Sequence, residues 1–329
     1  MATILGIEST AHTFGIGIAR NGKILSNIRD MYHTESGGIV PNDAAKHHKE
    51  NSEKIYFESL EKAGIKENEI DAVAFSQGPG LAPCLIEGMK FAKKISLKLK
   101  KPLVPVNHCI AHLEIGKITG AENPIMLYAS GANTQIIAYE SSKYRIFGET
   151  LDIGVGNFID NFARIMGIGF PGGPKIQELA KNSKNYIELP YVVKGMDISL
   201  SGILTNLKQK FESKKYSPED LAYSMQETVF AMLVETAERA MAHTGKKELL
   251  LGGGVSCNSR LQEMTKKMCS ERGARLFVPE NSLLVDNGAM TAFLGEIMFN
   301  KGIKVSAKEL ENLDIKPRQR TDEIEIKWK

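Results

Sequence analysis

The same order of predicted strands and glycine-rich turns occurs twice in this chain, and this repeat constrains its fold most strongly. The first half contains three β-rich segments, TILGIES, FGIGIAR and ILSNIRDMY, with the hairpin signal Asn21-Gly22 between the last two. A helical stretch around residues 47–63 follows, and the buried-type strand DAVAFSQ then runs into a Gly-Pro-Gly turn. The second half repeats this plan with IMLYAS, TQIIAY and YRIFGET, and later with ELLLGGG. The repeat predicts two related lobes that face each other across a cleft, in an α/β or α+β fold.

Length, charge and hydropathy narrow the class of protein. A chain of 329 residues is long for a single hydrophobic core, which favours two lobes. The net charge of +3 is too small by itself to indicate nucleic-acid binding. No apolar run approaches the roughly 18 residues that span a bilayer, and no signal peptide is recognised. With four cysteines and no C-x-x-C pair, the sequence predicts a cytoplasmic protein that has no membrane segment.

Two histidines lie four residues apart in the segment VNHCIAHLE. If Asn107 caps a helix there, His108 and His112 share one face, and two neutral imidazoles in that arrangement can hold a divalent metal ion. Two polar residues on a half-exposed helix would give the same pattern. Asp286, at a predicted loop-to-helix junction in LLVDNGAM, is either a helix N-cap or the acidic ligand that the histidines lack.

Three glycine-containing segments could surround a phosphate or a flat ring. MLYASGANTQ is predicted to be a strand ending in a turn at Ser130-Gly131, which presents backbone N–H groups. Gly172-Gly173-Pro174 marks a helix start, and GGGVSCN leads into a helix capped near Asn258. The spacing Gly167-x-Gly169-x-x-Gly172 fits a dinucleotide fingerprint, but no strand is predicted before it and Pro171 lies inside it, so we reject that interpretation. Loops that merely need small residues are the alternative.

A basic stripe is predicted on one helix, in the segment KFAKKISLKLKK. The lysines that recur there at helical spacing are Lys90, Lys94, Lys98 and Lys101. They form either a solvated helix face or a contact for a phosphate backbone.

Ten segments, in matching order and spacing, resemble the universal tRNA N6-adenosine threonylcarbamoyltransferase family, long mislabelled as O-sialoglycoprotein endopeptidases. They are GIESTAHTFGIGI, GGIVPNDAAKHH, SQGPGLAPCL, VNHCIAHLE, LYASGANTQ, GNFIDNFAR, FPGGP, SLSG, GGGVSCN and DNGAM. Asn133 and AAKHH are similar to the archaeal and eukaryotic branch, whose members are catalytic subunits of KEOPS-type complexes. The resemblance implies the duplicated two-lobe α/β fold of actin, Hsp70 chaperones and sugar kinases (ribonuclease H-like), with a central nucleotide cleft. We expect lobe I at residues 1–122, lobe II at 123–298, and a C-terminal segment at 299–329 that packs back on lobe I.

The resemblance gives several residues a role. His108, His112 and Asp286 are implied to hold one divalent metal ion, with iron favoured over zinc and Tyr128 as a further, phenolate ligand. The adenylate or ATP is implied to lie against Tyr128, Ala129, Ser130, Gly131, Ala132, Asp160, Gly173, Gln177 and Asn258. Of these, Asp160 and Gln177 would address the ribose hydroxyls. Glu8, at the tip of the first strand, is our candidate for helping the proton leave, and a surface acid is the alternative.

The resemblance also implies a reaction and its partners. The threonylcarbamoyl group would pass from threonylcarbamoyl-AMP to the exocyclic amine of the adenosine 3′ of the anticodon, in tRNAs that read codons starting with A. A metal ion at the phosphate and carbamoyl oxygens would act as a Lewis acid. The implied partners are tRNA, an atypical kinase-like ATPase, and small accessory subunits of a KEOPS-type complex, one of which dimerises.

Two departures from the family pattern and three rival functions stay open. The family usually has glycine at Ala132 and glutamate at Gln177, which puts nucleotide affinity in doubt. A zinc peptidase would place a glutamate after His108, where Cys109 stands. A sugar kinase or ATPase usually has an acidic residue in the first phosphate hairpin, and here no aspartate follows Glu8. A nucleotide-binding scaffold without transfer activity is favoured only by the two departures.

Overall fold

The computed structural model describes residues 2–35 and 38–329, and it divides the chain into two compact units. Unit 1 contains the described residues of Met1–Tyr32 together with Ile39–Ile118 and Val285–Lys329. Unit 2 contains Thr119–Leu284 and the described residues of His33–Gly38. Gly37, which opens the GGIVPNDAAKHH segment, lies outside the described residues.

Unit 1 is built on a five-stranded sheet. Its elements up to residue 118 are β1 (Thr3–Glu8), β2 (Thr13–Arg20), β3 (Lys23–Met31), α1 (Pro41–Ala63), β4 (Ala72–Gly78), α2 (Ala82–Leu99), β5 (Leu103–Asn107) and α3 (His108–Ile115). The strand order is β3-β2-β1-β4-β5, in which β1 to β3 form an antiparallel meander and β4 and β5 continue parallel to β1. As the hairpin signal predicted, Asn21 adopts the left-handed conformation between β2 and β3 (φ 57°). Helix α1 begins at Pro41 rather than near residue 47, because proline at the first position already has a helical φ.

Unit 2 is built on a second five-stranded sheet. Its elements are β6 (Ile125–Ala129), β7 (Thr134–Glu140), β8 (Lys143–Glu149), α4 (Val155–Ile165), α5 (Gly173–Lys181), β9 (Val193–Lys194), β10 (Asp197–Ile198), α6 (Ser201–Glu212), α7 (Pro218–Thr244), β11 (Glu248–Gly252), α8 (Ser259–Glu271), β12 (Arg275–Phe277) and α9 (Asn281–Leu284). The large sheet has the order β12-β11-β6-β7-β8, and β9 and β10 form a separate two-stranded sheet. The long helix α7 is capped by Ser217, whose hydroxyl accepts from the N–H of Asp220 at 3.0 Å.

The two large sheets repeat one topology. In each, the first strand of the meander lies at the centre, with the second strand antiparallel on one side and a later strand parallel on the other. The central strands β1 and β6 are buried along their whole length, which explains why both are continuous apolar runs rather than alternating ones. The predicted duplication is therefore confirmed. In the described part of the chain, no helix combines the length and the apolar content that a membrane span requires.

The last long helix, α10 (Gly288–Asn300), packs directly on the sheet of unit 1. Glycines make this approach close, because a Cβ on Gly6 would lie 2.1 Å from the backbone nitrogen of Ala292, and a Cβ on Gly17 would lie 2.3 Å from another backbone nitrogen of the helix. Residues 285–298, which the predicted boundaries assigned to lobe II, therefore belong to unit 1. This packing sets the start of α10 beside the end of β1.

The chain after Leu313 is mostly irregular and packs on the loop that follows β4. The N–H of Lys316 donates to the carbonyl of Gln77 at 2.8 Å, and the N–H of Gly80 donates to the carbonyl of Pro317 at 3.1 Å. These backbone bonds hold the C-terminal segment on unit 1.

Candidate metal centre and nucleotide-binding segment

Helix α3 positions the two predicted metal-binding histidines. The side chain of Asn107 accepts from the N–H of Ile110 at 3.0 Å, so the predicted cap is present and β5 runs directly into the helix. The rings of His108 and His112 lie on the same face, with their centroids 4.8 Å apart. Every residue of α3 is buried, so the alternative of a half-exposed polar helix is wrong.

Asp286 completes this cluster from the start of α10. Its Oδ1 atom lies 3.4 Å from Nε2 of His108 and 3.3 Å from Nε2 of His112. The N-cap of α10 is the next residue, Asn287, whose side chain accepts from the N–H of Met290 at 2.9 Å. The interpretation of Asp286 as a helix cap is therefore wrong.

The three side chains fit a metal ion. Their ligand atoms lie within 4.8 Å of one another, and all three residues belong to unit 1. Metal–ligand bonds of about 2.0–2.1 Å in a tetrahedral site separate neighbouring ligand atoms by about 3.3–3.4 Å. The two N···O distances between Asp286 and the histidines agree with that separation. A metal site of two histidines and one aspartate is therefore possible here.

The electrostatics of the cluster also favour a cation. Burial disfavours the imidazolium form of His108, but the carboxylates of Glu8 and Asp286 outweigh it and raise the pKa of His108 to about 9. Burial lowers the pKa of His112. Burial opposes ionisation of Asp286, yet His108 and the hydrogen bond from His112 lower its pKa below the usual range. Two carboxylates thus stabilise positive charge at the point where the histidine nitrogens converge.

Glu8 lies beneath this cluster and has no exposed surface. Its Oε1 atom accepts from the N–H and the hydroxyl of Thr10, at 2.8 and 2.6 Å. Its Oε2 atom lies 3.1 Å from Nδ1 of His108 and 3.4 Å from the hydroxyl of Thr291. The surface-acid alternative is therefore wrong. Sequence reasoning did not select Thr10 or Thr291; the first follows Glu8 by two residues, whereas nothing in the sequence connects the second to it.

In unit 2, the predicted phosphate-facing turn follows the buried strand that contains Tyr128. Its carbonyls bond the first turn of α4, because the N–H groups of Gly156 and Asn157 donate to Ser130 and Gly131, both at 2.9 Å. The N–H groups of Gly131 and Ala132 donate no hydrogen bond to any of the described residues. They are therefore the donors that this turn can present to a ligand.

Glycines around the turn allow its close packing. A Cβ on Gly154 would lie 2.4 Å from the carbonyl oxygen of Gly131, and a Cβ on Gly253, which has a φ of +86°, would lie 2.4 Å from that of Ala129. Ala132 is exposed and its φ is negative. The backbone at Ala132 therefore needs no conformation that only glycine adopts readily.

Asp160 and Gly173 come together at the start of α5. Oδ1 of Asp160 accepts from the N–H of Gly172 at 2.8 Å. Burial raises the pKa of Asp160, and bonds from the N–H groups of Gly172 and Gly173 partly offset this rise. A Cβ on Gly173 would meet nothing within 4 Å, so the backbone is accessible there. Helix α4 precedes the Gly167–Gly172 segment, which supports rejection of the dinucleotide fingerprint.

Gln177 and Asn258 lie close together at the start of α8. The side-chain amide of Gln177 donates to the hydroxyl of Ser259 at 3.2 Å. Asn258 is the N-cap of α8: its oxygen accepts from the N–H of Arg260 at 2.8 Å, and its NH₂ group donates to Gln226 at 3.0 Å. The predicted cap is confirmed, and most of the polar capacity of Asn258 is used inside the protein.

The lysines of the predicted basic stripe pair with acidic side chains; three of them lie on α2, whereas Lys101 follows the end of the helix. Their partners are Glu87 (Lys90, 2.8 Å), Glu53 (Lys94), Glu67 (Lys98, 2.5 Å) and Asp71 (Lys101, 3.9 Å). These pairs favour the solvated-face interpretation over a contact with a phosphate backbone.

Comparisons with known proteins agree with these arrangements. A family model described as tRNA N6-adenosine threonylcarbamoyltransferase matches residues 23–293. The chain is 53% identical over 324 residues to the tRNA N6-adenosine threonylcarbamoyltransferase of Thermococcus kodakarensis, covering 98% of this chain and 99% of that protein. It is 49% identical over 329 residues to a probable bifunctional tRNA threonylcarbamoyladenosine biosynthesis protein of Methanosarcina mazei, covering 99% of this chain and 59% of that protein.

A solved structure shows the same fold. HypF of T. kodakarensis aligns with a TM-score of 0.65 and 16% identity over 95% of this chain and 49% of HypF, and a likeness at this identity concerns the fold alone. The predicted duplicated α/β fold of the actin and sugar-kinase type is confirmed. From the matched length and the identity to its relatives, the chain belongs to the tRNA N6-adenosine threonylcarbamoyltransferase family.

Proposed function

We propose that this protein transfers the threonylcarbamoyl group of threonylcarbamoyl-AMP to the exocyclic amine of the adenosine 3′ of the anticodon, in tRNAs that read codons starting with A. The observation that carries the proposal is the convergence of His108, His112 and Asp286 in one buried site, in a chain of this family. In the reaction, the amine nitrogen bonds to the carbamoyl carbon and the carbon–oxygen bond to phosphate breaks. AMP leaves with the electron pair, and the amine loses a proton.

The proposed metal ligands are His108, His112 and Asp286, with Tyr128 as a further candidate. Two histidines and one carboxylate with open positions are typical of non-haem iron, so iron is favoured and zinc is the alternative. When bound, the metal would supply Lewis-acid polarisation of the phosphate and carbamoyl oxygens and neutralise charge on the leaving AMP.

Glu8 is proposed to position His108. Its carboxylate accepts from Nδ1 of His108, which leaves Nε2 facing Asp286, where it would bind the proposed metal once deprotonated. Both oxygens of Glu8 are occupied inside the protein, so its geometry supports positioning more strongly than direct proton transfer from the substrate. Charge on Glu8 would also stabilise the cationic centre.

The nucleotide-binding role of unit 2 is proposed for Tyr128, Ala129, Ser130, Gly131, Ala132, Asp160, Gly173, Gln177 and Asn258. The donors of Gly131 and Ala132 suit phosphate oxygens, and the accessible backbone at Gly173 suits the approach of a flat ring. The second carboxylate oxygen of Asp160 and the amide of Gln177 suit ribose hydroxyls. Adenine amine is a weak nucleophile, so positioning of the donor must supply much of the acceleration.

We further propose that the protein acts with partner subunits of a KEOPS-type complex: an atypical kinase-like ATPase and small accessory subunits. The M. mazei relative supports this proposal, because it is named as bifunctional and this chain matches only 59% of it. The remainder of that protein could carry a second activity. The proposed location is the cytoplasm, where unmodified tRNA is available.

The test is transfer of label from threonylcarbamoyl-AMP to unmodified tRNA, with partner subunits added. The matched control is the same tRNA with guanosine in place of the adenosine 3′ of the anticodon. We expect label in the first tRNA only. Label in both tRNAs, or in neither, would contradict the proposed reaction.

The scaffold alternative is tested on the two departures from the family pattern. Ala132→Gly and Gln177→Glu are compared with the parent for transfer and for nucleotide binding. If the parent protein is a weakened enzyme, it should transfer label, and each of the two variants should transfer more. A scaffold would bind nucleotide in all three forms and transfer label in none.

A further inference from the structure

The C-terminal segment forms a turn that contacts the end of β5, directly before helix α3. The N–H of Gln319 donates to the carbonyl of Lys316 at 3.1 Å, with Pro317 inside the turn. The turn is fixed to the loop after β4 by the backbone bonds of Lys316 and Pro317 described above. The contact is close, because a Cβ on Gly78 would lie 1.9 Å from the carbonyl oxygen of Lys316.

This turn is bonded to the residue that immediately precedes a proposed metal ligand. The side-chain amide of Asn107 donates to Oε1 of Gln319 at 3.1 Å, while its oxygen caps α3. Asn107 is followed directly by His108. A group bound at the turn would therefore lie close to the metal centre, within the same unit.

The turn lines a surface pocket with an excess of positive charge. The pocket has a volume of about 620 Å³, and its lining residues are Lys316, Pro317, Arg318, Gln319 and Glu323. The side chains of Lys316 and Arg318 are exposed, and in the described chain neither has an acidic group within 4 Å. The acid in the lining, Glu323, accepts from the N–H of Arg320 at 3.2 Å. Two cations are thus available on a backbone that is already fixed.

The lysine stripe on α2 shows why these two cations differ from other basic residues of unit 1. Each lysine of the stripe pairs with a carboxylate, so a phosphate would have to displace that acid. Among the described residues, no acidic side chain lies within 4 Å of the Lys316 or Arg318 side-chain nitrogens, and Arg318 can bond phosphate oxygens in a bidentate manner.

We propose that Lys316 and Arg318 bind the phosphate backbone of the acceptor tRNA, next to the nucleotide that is modified. This inference rests on the proposed function, because an acceptor adenosine at the metal centre must bring its neighbouring phosphates close to α3. The occupant is an RNA backbone rather than the phosphate of the adenylate, for which the donors of unit 2 are proposed.

The experiment compares the full-length double variant Lys316→Ala/Arg318→Ala with the parent in tRNA binding by fluorescence anisotropy, at several salt concentrations. Loss of two phosphate contacts should weaken binding about tenfold at moderate salt and reduce the slope of log K against log salt by about 1 to 2. In the transfer assay, KM for tRNA should rise while kcat stays near that of the parent. The melting temperature should stay unchanged, because both side chains are exposed.

The matched control is Lys90→Ala/Lys94→Ala, which removes the same charge from the same unit but from paired lysines. It should bind tRNA with nearly parental affinity and salt slope. Equal weakening in both double variants would show a general charge effect and overturn the proposal. A loss of ATP binding in Lys316→Ala/Arg318→Ala, with tRNA binding intact, would assign the pocket to the nucleotide and also overturn it.

Failure of this inference can be distinguished from failure of the proposed function. If the parent modifies tRNA and the Lys316→Ala/Arg318→Ala variant binds tRNA like the parent, this inference alone is wrong. If the parent neither binds nor modifies tRNA, both are wrong.

Discussion

The candidate metal cluster of unit 1 and the proposed nucleotide-binding segment of unit 2 are held in place by different means. The cluster is defined by side chains: Asp286 lies beside His108 and His112, and Glu8, which has no exposed surface, lies beside His108. The nucleotide-binding segment is defined by its backbone, because glycines allow the turn after β6 to pack against α4. The cluster should therefore be sensitive to the chemistry of its side chains, and the turn should be sensitive to added volume.

The largest difference is expected between Asp286, a proposed metal ligand, and its neighbour Asn287, which caps α10. Asp286→Asn should reduce metal binding and transfer by more than about 100-fold, since it removes the only carboxylate ligand that we propose. Asn287→Ala should retain the metal and lower the free energy of unfolding by about 1 kcal/mol, because it removes the cap of α10. Metal content and urea denaturation of both variants measure these effects. Equal metal loss in the two variants would show that the cluster depends on the fold of the junction rather than on the carboxylate.

The second effect concerns volume at the turn in unit 2. Gly154→Ala should lower the free energy of unfolding by about 2–3 kcal/mol and weaken nucleotide binding, because the new methyl group meets the Gly131 carbonyl. Gly173→Ala is the control for stability: its Cβ meets nothing, so unfolding should change by less than about 1 kcal/mol. Urea denaturation measures both. Similar losses in the two variants would contradict the role assigned to close packing.

The third effect tests the positioning role of Glu8. Glu8→Gln should lower metal affinity by about 10- to 100-fold, because an amide holds the imidazole of His108 less well and carries no charge. Titration with Co²⁺, followed by its absorption spectrum, measures this affinity without depending on catalysis. Parental affinity and an unchanged spectrum, together with lost transfer, would instead assign Glu8 to proton transfer.

The smallest effect is expected at Ala132. Its side chain is exposed and its φ is ordinary, so Ala132→Gly should change nucleotide affinity by no more than about threefold while lowering stability by up to about 1 kcal/mol. Calorimetric titration with ATP measures the affinity. A tenfold gain would show that the methyl group hinders the ligand, and that side chains matter in this segment as they do in the metal cluster.

Much of the fold could be predicted because its signals are local. The β-rich segments of the meanders, the Asn21-Gly22 turn and the caps at Asn107, Ser217 and Asn258 each depend on a few adjacent residues, and the structure contains all of them. The boundary between the two units at residue 285 could not be predicted from local sequence. It depends on the close approach of α10 to Gly6 and Gly17, which are far away in the sequence.

The candidate site also combines local features, which the sequence predicts, with contacts between distant residues, which it does not. The spacing of His108 and His112 was readable, but Asp286 remained ambiguous because its contact with His112 spans 174 residues. Glu8 was weighed against a surface acid, since a strand end is usually exposed; here the contact with Thr291, 283 residues away, belongs to the packing that covers it. The neutralised lysines of α2 and the available cations at Lys316 and Arg318 likewise become distinct only when their neighbours are known.

The central claim is that the histidine pair of α3 holds a metal ion on which transfer depends. The most direct test measures bound iron and zinc, and transfer of labelled threonylcarbamoyl to unmodified tRNA, in the same preparations of parent and His108→Ala/His112→Ala, with partner subunits added. We predict about one metal ion per chain and transfer in the parent, and loss of both in the double variant at an intact fold. Transfer that survives in the metal-free double variant would contradict the claim and make the histidine pair structural.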